Sequence, residues 1–362
     1  MSKYFFMKEL PIYIKGRGAQ INPPNPFDRI IYDEDPRVNL DEGQNLKTEY
    51  INVYPKTMLN KVVSPDVPLE WSLNPYQGCE HGCVYCYARN THPYWGYSAG
   101  TDFEQKILVK KDAAKLVEEK IKHPNWKASP LMLAGNTDCY QPIEKKLEIT
   151  RSLLEVLWKY RHPVGIITKN SLILRDLDIL TKMAEHDLVH VAISVTTLDD
   201  GLRQKLEPRT ASVQSRLHTI EKLSKYNIPV NVMFAPIIPG LNDHEVFKVA
   251  EWTSNLGAQG IGYTMVRLNG DVATIFEDWI KKVFPDRAEK VLNKIKDCHG
   301  GVLEDHRFGK RMRGEGNYAD IINSQFKLAK AKFFKENKMP SYNLELHGMI
   351  KNPQLSLFDM PR

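Results

Sequence analysis

The chain has 362 residues, of which 42% are hydrophobic, and 50 Lys and Arg against 44 Asp and Glu give a net charge of +6. This length suits about two domains or one large α/β barrel, with ample apolar material for a core. No apolar run reaches the ~20 residues that a membrane-spanning helix needs, and the first residues lack the apolar core of a secretory signal. The small basic excess is compatible with an anionic partner without identifying one.

Residues 1–60 are predicted to form an irregular N-terminal arm. Lys15–Ala19 is basic and glycine-rich, and Asn22–Phe27 contains three prolines. Proline fixes φ and removes a hydrogen-bond donor, so neither a helix nor a central strand can run through this stretch. The basic piece could contact phosphate, but we expect the arm to pack across the rest of the protein. Alternating Ile51 and Val53 predict a short edge strand over residues 49–54.

Residues 61–270 alternate between short apolar strands and amphipathic helices. Strands are predicted at 69–73, 130–134, 164–167, 188–195, 230–234 and 260–266, and helices at 110–122, 147–160, 172–184, 213–226 and 245–256. Such alternation implies parallel strands joined by right-handed crossovers. The pattern is compatible with an open, partial β/α barrel, whose chemistry lies at the carboxyl ends of the strands. Periodicity alone does not exclude a doubly wound sheet.

The last third of the sequence is harder to interpret. Residues 271–340 are predicted to form a helical extension that closes the barrel, with helices at 287–296 and 318–337. Between these helices, the basic, glycine-rich stretch 307–316 could bind a phosphate backbone or form ion pairs on a solvated surface. Residues 341–362 are predicted to be a flexible tail.

Three of the five cysteines lie within one eight-residue stretch, at Cys79, Cys83 and Cys86. An odd, clustered set argues against disulfides and for a reducing compartment, so we expect a cytoplasmic protein. Thiolates this close together favour zinc or an iron–sulfur cluster. A structural zinc site would need a fourth ligand such as His81 or His92. A cubane cluster held by three cysteines would instead keep one iron open for chemistry.

The motif Cys-x3-Cys-x-aromatic-Cys resembles the signature of the radical S-adenosylmethionine (SAM) enzymes, with Tyr85 as the aromatic residue. The runs Tyr94–Tyr97, Gly100–Glu104 and Ile107–Lys110 resemble the branch that includes spore photoproduct lyase. The resemblance implies a partial (β/α)6 barrel and a [4Fe–4S] cluster on the three cysteines. It also implies that an electron from an external donor cleaves SAM to a 5′-deoxyadenosyl radical, which abstracts a hydrogen atom from the substrate.

By the same resemblance, residues at the strand ends are expected to bind SAM. They are Thr137 and Asp138 after the second strand, Lys169 after the third, Ser194 at the end of the fourth, and Arg209 beyond it. Two other interpretations stay open, because Asp138 could cap a helix and Arg209 could pair with Glu207. Residues 235–243 are expected to form a backbone ledge for adenine.

The remaining two cysteines have weaker signals. Cys139 follows Asp138, and a thiol there could return a hydrogen atom to a product radical; packing as a small buried side chain is the favoured alternative. Cys298 lies beside His299, and a structural role is expected for that pair.

The tail contains Gln354, Leu355, Leu357 and Phe358, which resemble the peptide that docks bacterial DNA polymerases and repair proteins on the sliding clamp. An extended tail of this kind can fold on binding. A chance match, or packing on its own domain, is the alternative. Together these features favour a radical SAM enzyme acting on damaged DNA. The alternatives are one acting on RNA, a peptide or a metabolite, and a non-catalytic metal-binding adaptor.

Overall fold

The computed structural model of the protein describes residues 13–27, 47–335 and 338–351. The strands are β1 Glu49–Val53, β2 Leu59–Lys61, β3 Trp71–Leu73, β4 Tyr76–Gln77, β5 Lys106–Lys110, β6 Leu131–Leu133, β7 Val164–Thr168, β8 Val189–Ser194, β9 Val230–Ile237 and β10 Gly260–Met265. The α-helices are α1 Asp102–Gln105, α2 Ala113–Lys122, α3 Glu144–Leu147, α4 Ile149–Lys159, α5 Leu177–Ala184, α6 Asp200–Leu206, α7 Val213–Lys225, α8 Val246–Asn255, α9 Asp271–Val283, α10 Ala288–Asp297, α11 Asn317–Phe333 and α12 Glu345–Lys351.

The larger sheet has seven strands in the order β10-β9-β8-β7-β6-β3-β2. From β3 to β10 every neighbouring pair is parallel, and only β2 joins in the antiparallel sense. Because the order never reverses, the sheet is not doubly wound. Side chains from all six parallel strands line one cavity, so the sheet curves into an open barrel. The predicted fold class is therefore confirmed.

The opposite end of the barrel is filled by residues 338–351. A Cβ on Gly165 of β7 would lie 2.9 Å from the Tyr342 hydroxyl, so glycine leaves room for that ring. Tyr342 also stacks on His190 of β8, with ring centroids 3.9 Å apart. The backbone N–H of Asn343 donates to the carbonyl of Asp187, just before β8. This segment therefore lies against the amino-terminal ends of the strands, away from the cavity.

A second, three-stranded sheet has the order β1-β5-β4 and lies beside the cysteine loop. β1 pairs only with β5 among the described strands, as expected of the predicted edge strand. The prediction that Lys110 begins a helix was wrong. Lys110 ends β5, because buried Ile107 and Val109 pair with β1, and the helix begins at Ala113.

The loop between α10 and α11 spans the open side of the barrel. The carbonyl of Met312 accepts a hydrogen bond of 2.9 Å from the N–H of Met265, at the end of β10. Arg311 reaches the other rim, where its Nε donates to Asp66 Oδ2 at 2.6 Å and its Nη2 to Ser64 Oγ at 2.7 Å. Both rims of the open sheet are thus joined through one loop.

Most predicted strands and helices are present within two or three residues of the predicted ends. Helix α9 was not predicted, although Val272, Ile275, Phe276 and Trp279 recur at helical spacing and are fully buried. The predicted helix at 172–184 begins as a 3-10 turn, Ser171–Asp176, before α5. None of the helices in the described ranges is long and apolar enough to cross a membrane.

Candidate cofactor-binding site

A cavity of about 520 Å³ opens at the carboxyl ends of the parallel strands. Its walls include all three clustered cysteines and the strand-end residues Asp138, Lys169 and Ser194. Apolar side chains such as Ile167 and Met233 complete the interior. Parallel strands collect their carboxyl-terminal residues at one end, which explains why positions more than 100 residues apart meet here.

Two glycines shape the cysteine loop. Gly78 and Gly82 have φ of +80° and +66°, a backbone conformation that other residues rarely adopt. A Cβ on Gly82 would lie 2.8 Å from Glu104 Oε2. The loop is also fixed by backbone hydrogen bonds from Cys79 to Phe103 and from Val84 to Leu206, of 2.8 and 3.1 Å.

A buried ion pair lies directly beneath the loop. Arg89 Nη2 and Glu104 Oε1 are 2.6 Å apart, and neither side chain is exposed. Arg89 also donates to the carbonyl of Cys83 at 2.9 Å, and Glu104 accepts the backbone N–H groups of Gly18 and Ala19. The pair therefore connects the cysteine loop to the N-terminal arm. Within the basic stretch 15–19, the structure thus shows the arm packed against the protein through Gly18 and Ala19.

Neighbouring groups keep the Asp138 carboxylate ionised. Its Oδ1 accepts from the Thr168 hydroxyl at 2.8 Å, and its Oδ2 accepts from the Lys169 amide at 2.8 Å and lies 3.3 Å from His81 Nδ1. Burial opposes ionisation, but His81 and these hydrogen bonds lower the pKa of Asp138 to about 2. Burial likewise opposes charge on His81, yet Asp138 and Cys79 raise the pKa of that imidazole to about 10. The carboxylate also accepts a hydrogen bond from the Tyr140 amide. It does not cap the next helix, which was the alternative interpretation, because Ile143 is at that N-cap position.

Lys169 supplies the cavity with a cation. Burial acts to lower its pKa, but nearby Glu207 and Cys83 raise it overall. Glu207 is fully buried, and burial is outweighed by Arg216 and Lys169, which lower its pKa to about 2. Tyr85, the aromatic residue of the motif, donates its hydroxyl to Glu207. Tyr85 thus forms a fixed wall beside the cysteines.

The three thiols fit a cationic metal cluster. Cys79 and Cys83 are each 7% exposed, and all three thiols line the same cavity. Burial raises the pKa of the Cys83 and Cys86 thiols, with carboxylate and thiol neighbours adding to the effect and Lys169 opposing it. Iron would supply the positive charge that buried thiolates lack. In the described ranges, no group of three or more His, Cys, Asp and Glu side chains is placed to hold a single metal ion. A cubane cluster does not need such a group, because each of its thiolates binds a separate iron.

Three predicted site residues do not line the cavity. The Thr137 hydroxyl donates to the carbonyl of Tyr76 at 2.7 Å, and Cys139 is fully buried in the apolar core. Arg209 lies 3.6 Å from Glu80, so it neither faces the cavity nor pairs with Glu207 as the alternative proposed. Each side chain is instead engaged by a neighbour, through a hydrogen bond, core packing or an ion pair. The predicted role of Cys139 as a hydrogen-atom donor therefore conflicts with its burial in the core, outside the cavity.

Of the two histidines considered as a fourth zinc ligand, His81 lines the cavity and His92 does not, and the Cys298–His299 pair is also outside its walls. His92 packs edge-on against Phe103, with ring centroids 5.5 Å apart. His299 is held by the Val266 carbonyl at 2.7 Å and Asp305 at 3.1 Å, next to buried Cys298. The predicted docking residues Gln354, Leu355, Leu357 and Phe358 lie outside the described residues.

Sequence reasoning missed several cavity residues. Arg267, two residues beyond β10, and Tyr87, directly after Cys86, both line the cavity. Their positions after a predicted strand and after the motif were available signals. Arg311 and Met312 also line it, but they arrive through the long loop that no local pattern could position.

Comparisons with known proteins identify relatives. A family model described as the Radical SAM superfamily matches residues 73–253. An uncharacterized protein of Mycobacterium tuberculosis (strain H37Rv) is 31% identical over 234 residues, covering 64% of this chain and 69% of that protein. An uncharacterized protein of Methanocaldococcus jannaschii is 28% identical over 251 residues, covering 69% of this chain and 89% of that protein.

The fold is similar to that of spore photoproduct lyase. A mutant of that enzyme with bound AdoMet and dinucleoside spore photoproduct superposes with a TM-score of 0.58. The two sequences are 15% identical, and the match covers 80% of this chain and 81% of that one. At this identity the similarity concerns the fold.

Replacing Arg89 with Met should destabilise the protein by about 3–5 kcal/mol, because it leaves the Glu104 carboxylate buried without its cation. Chemical denaturation of the metal-free protein would measure the loss. As a control, Lys159→Met removes an exposed partner of Glu118 and should leave the free energy of unfolding nearly unchanged. The double variant Arg89→Met/Glu104→Gln should lose less than the two single losses added together. Strict additivity would mean that the pair is not coupled.

Proposed function

The chain belongs to the Radical SAM superfamily of enzymes, which use a [4Fe–4S] cluster and SAM, and on that premise we propose that Cys79, Cys83 and Cys86 hold the cluster. The observation that carries the proposal is the convergence of three thiols, two buried and one partly buried, on one cavity at the carboxyl end of a parallel barrel. The fourth iron would be left free for SAM. Tyr85, fixed by Glu207, would shield one side of the cluster.

Lys169, Ser194 and Asp138 are the residues that we propose for SAM. A lysine ammonium can pair with the SAM carboxylate as a point charge, and Lys169 has no carboxylate within ion-pair distance among the described residues. Asp138 already accepts three hydrogen bonds, so it would act mainly through its negative charge near the SAM ammonium and sulfonium. Ala235 and Pro236 line the cavity where an adenine ledge is expected.

A [4Fe–4S] cluster held by Cys79, Cys83 and Cys86 would supply the one-electron chemistry of the superfamily, the reductive cleavage of SAM. The contribution of this chain is to orient SAM and to exclude competing reactants. The cavity wall is largely apolar beyond the charged residues, with Met132, Ile167 and Met233 facing inward from neighbouring strands. These side chains would keep water and other hydrogen donors away from the reacting carbon.

For the substrate, we propose damaged DNA. The support is the resemblance of the motif region to the spore photoproduct lyase branch, together with a fold similar to a lyase that binds a dinucleoside lesion. RNA, a peptide or a metabolite is the alternative, since one fold hosts many chemistries.

We also propose that the tail residues Gln354, Leu355, Leu357 and Phe358 dock on a DNA sliding clamp. The described segment 338–351 packs at the amino-terminal ends of the strands, with His347 Nδ1 2.7 Å from the carbonyl of Tyr160. The docking peptide thus follows a described segment that lies away from the cavity.

Anaerobically reconstituted protein should contain about four irons and form 5′-deoxyadenosine when reduced with SAM present. Alanine at Cys79, Cys83 or Cys86 should abolish both, because each thiolate would hold a separate iron. Cys298→Ala is the matched control, since this thiol is also buried but lies outside the cavity, and it should retain iron and turnover. Zinc in place of iron, or full turnover in the three variants, would contradict the proposal.

If the substrate is damaged DNA, ultraviolet-irradiated DNA with deuterated thymine should transfer deuterium into 5′-deoxyadenosine. Mass spectrometry would detect the label. Undamaged DNA of the same sequence is the control and should transfer none. If 5′-deoxyadenosine forms equally with and without the lesion and never contains deuterium, DNA repair is excluded. SAM cleavage would still be supported by that result.

The clamp proposal predicts that Leu357→Ala/Phe358→Ala weakens binding of the full chain to an immobilised bacterial clamp by at least about tenfold, because two apolar anchors are lost. Ser356→Ala, within the same peptide, should bind as the wild type. Surface plasmon resonance would compare them. Equal capture of all three proteins would refute docking through these residues.

A further inference from the structure

Two arginines line the mouth of the cavity, and only one has a carboxylate partner. Arg311 is bound to Asp66 and Ser64 on the opposite rim. Arg267 follows β10 and makes neither a hydrogen bond nor an ion pair with any residue in the described ranges. It is half-buried, and its guanidinium lies 5.9 Å from the centre of the Tyr87 ring.

The carboxylates nearest to Arg267 are already occupied. Asp66 accepts from Arg311 through one oxygen and from the Gly309 amide, at 2.8 Å, through the other. Asp305 is gripped by Arg307, whose Nε and Nη2 donate at 3.0 and 2.9 Å. Arg267 therefore lies near two acids that other groups satisfy, and burial together with Arg311 lowers its pKa.

A half-buried cation without a partner is costly unless an anion arrives to pair with it. Guanidinium groups grip phosphates through two parallel hydrogen bonds. Beside Arg267, Tyr87 is 53% exposed, and its hydroxyl donates to the Gly135 carbonyl, which fixes the ring at the cavity mouth. Exposed aromatic rings are platforms on which nucleic acid bases stack. A phosphate site and a stacking platform thus lie side by side, next to Cys86.

We infer that Arg267 binds a backbone phosphate of a DNA substrate at the cavity mouth while Tyr87 stacks an adjacent base. The inference rests on the proposed function, which it deepens by assigning the substrate contact. A peptide would need neither a phosphate clamp nor a stacking ring. The SAM carboxylate is the other anion that Arg267 could meet, and the experiment separates the two.

The experiment uses the full, cluster-loaded chain and a fluorescent, ultraviolet-irradiated single strand of about 12 nucleotides. Anisotropy titrations between about 50 and 200 mM salt give the affinity and its salt slope. Arg267→Gln should weaken binding about tenfold and reduce the slope by about 1. Tyr87→Leu should weaken binding with the slope unchanged. Lys225→Gln removes one positive charge from an exposed position at the end of α7, outside the cavity, and should behave as the wild type.

A neutral methylphosphonate strand of the same sequence should bind wild type and Arg267→Gln alike. Unchanged affinity and slope in Arg267→Gln would overturn the inference, even if the wild type cleaves SAM and repairs the lesion. A raised KM for SAM with unchanged DNA binding would assign Arg267 to SAM and also overturn it. Failure of the wild type to bind DNA while it still forms 5′-deoxyadenosine would overturn the DNA substrate and the phosphate contact together.

Discussion

The ion pair between Arg89 and Glu104 is the interaction on which the site depends most. It has no access to solvent, and each partner satisfies backbone groups as well as its opposite charge. Through Arg89 it holds the carbonyl of Cys83, and through Glu104 it holds Gly18 and Ala19 of the arm. A short loop with three thiols has little structure of its own, so its shape is imposed by this charged core.

A second layer of buried charge lies on the other side of the cavity. Glu207 is paired with Arg216 and accepts the Tyr85 hydroxyl, and Asp138 is paired with His81. Their partners keep both carboxylates ionised although burial opposes the charged form. Such pairs contribute little net stability, since desolvation offsets their attraction. Their value lies in fixed geometry around a cofactor that itself carries charge.

The fold could be predicted because its signals are local. Apolar runs of strand length alternate with amphipathic helices, and this alternation requires no knowledge of distant contacts. The cysteine loop follows β3 directly, so its place at the barrel end was also predictable. Asp138, Lys169 and Ser194 reach the cavity for the same reason, since each lies at or near the end of a strand.

Side-chain direction in irregular segments could not be predicted. Arg209 lies in a loop, where no period of two or 3.6 residues decides which way a side chain points, and it turns to Glu80. Glu207 pairs with Arg216, which lies nine residues later on α7, and no local pattern indicates that pairing. Arg267 was missed because its significance comes from Asp66 and Asp305 having other partners, a fact set by contacts remote in sequence.

The loop that joins the two rims of the open barrel has a consequence for how this protein can diversify. It forms hydrogen bonds with the last strand through Met312 and with the segment before β3 through Arg311. Among the described residues, it forms no hydrogen bond with the three clustered cysteines. The width of the entrance and the radical-generating centre are therefore encoded in separate parts of the chain. A change in the length or charge of this loop would therefore alter the entrance, and with it the size of substrate admitted, without altering the cysteine loop.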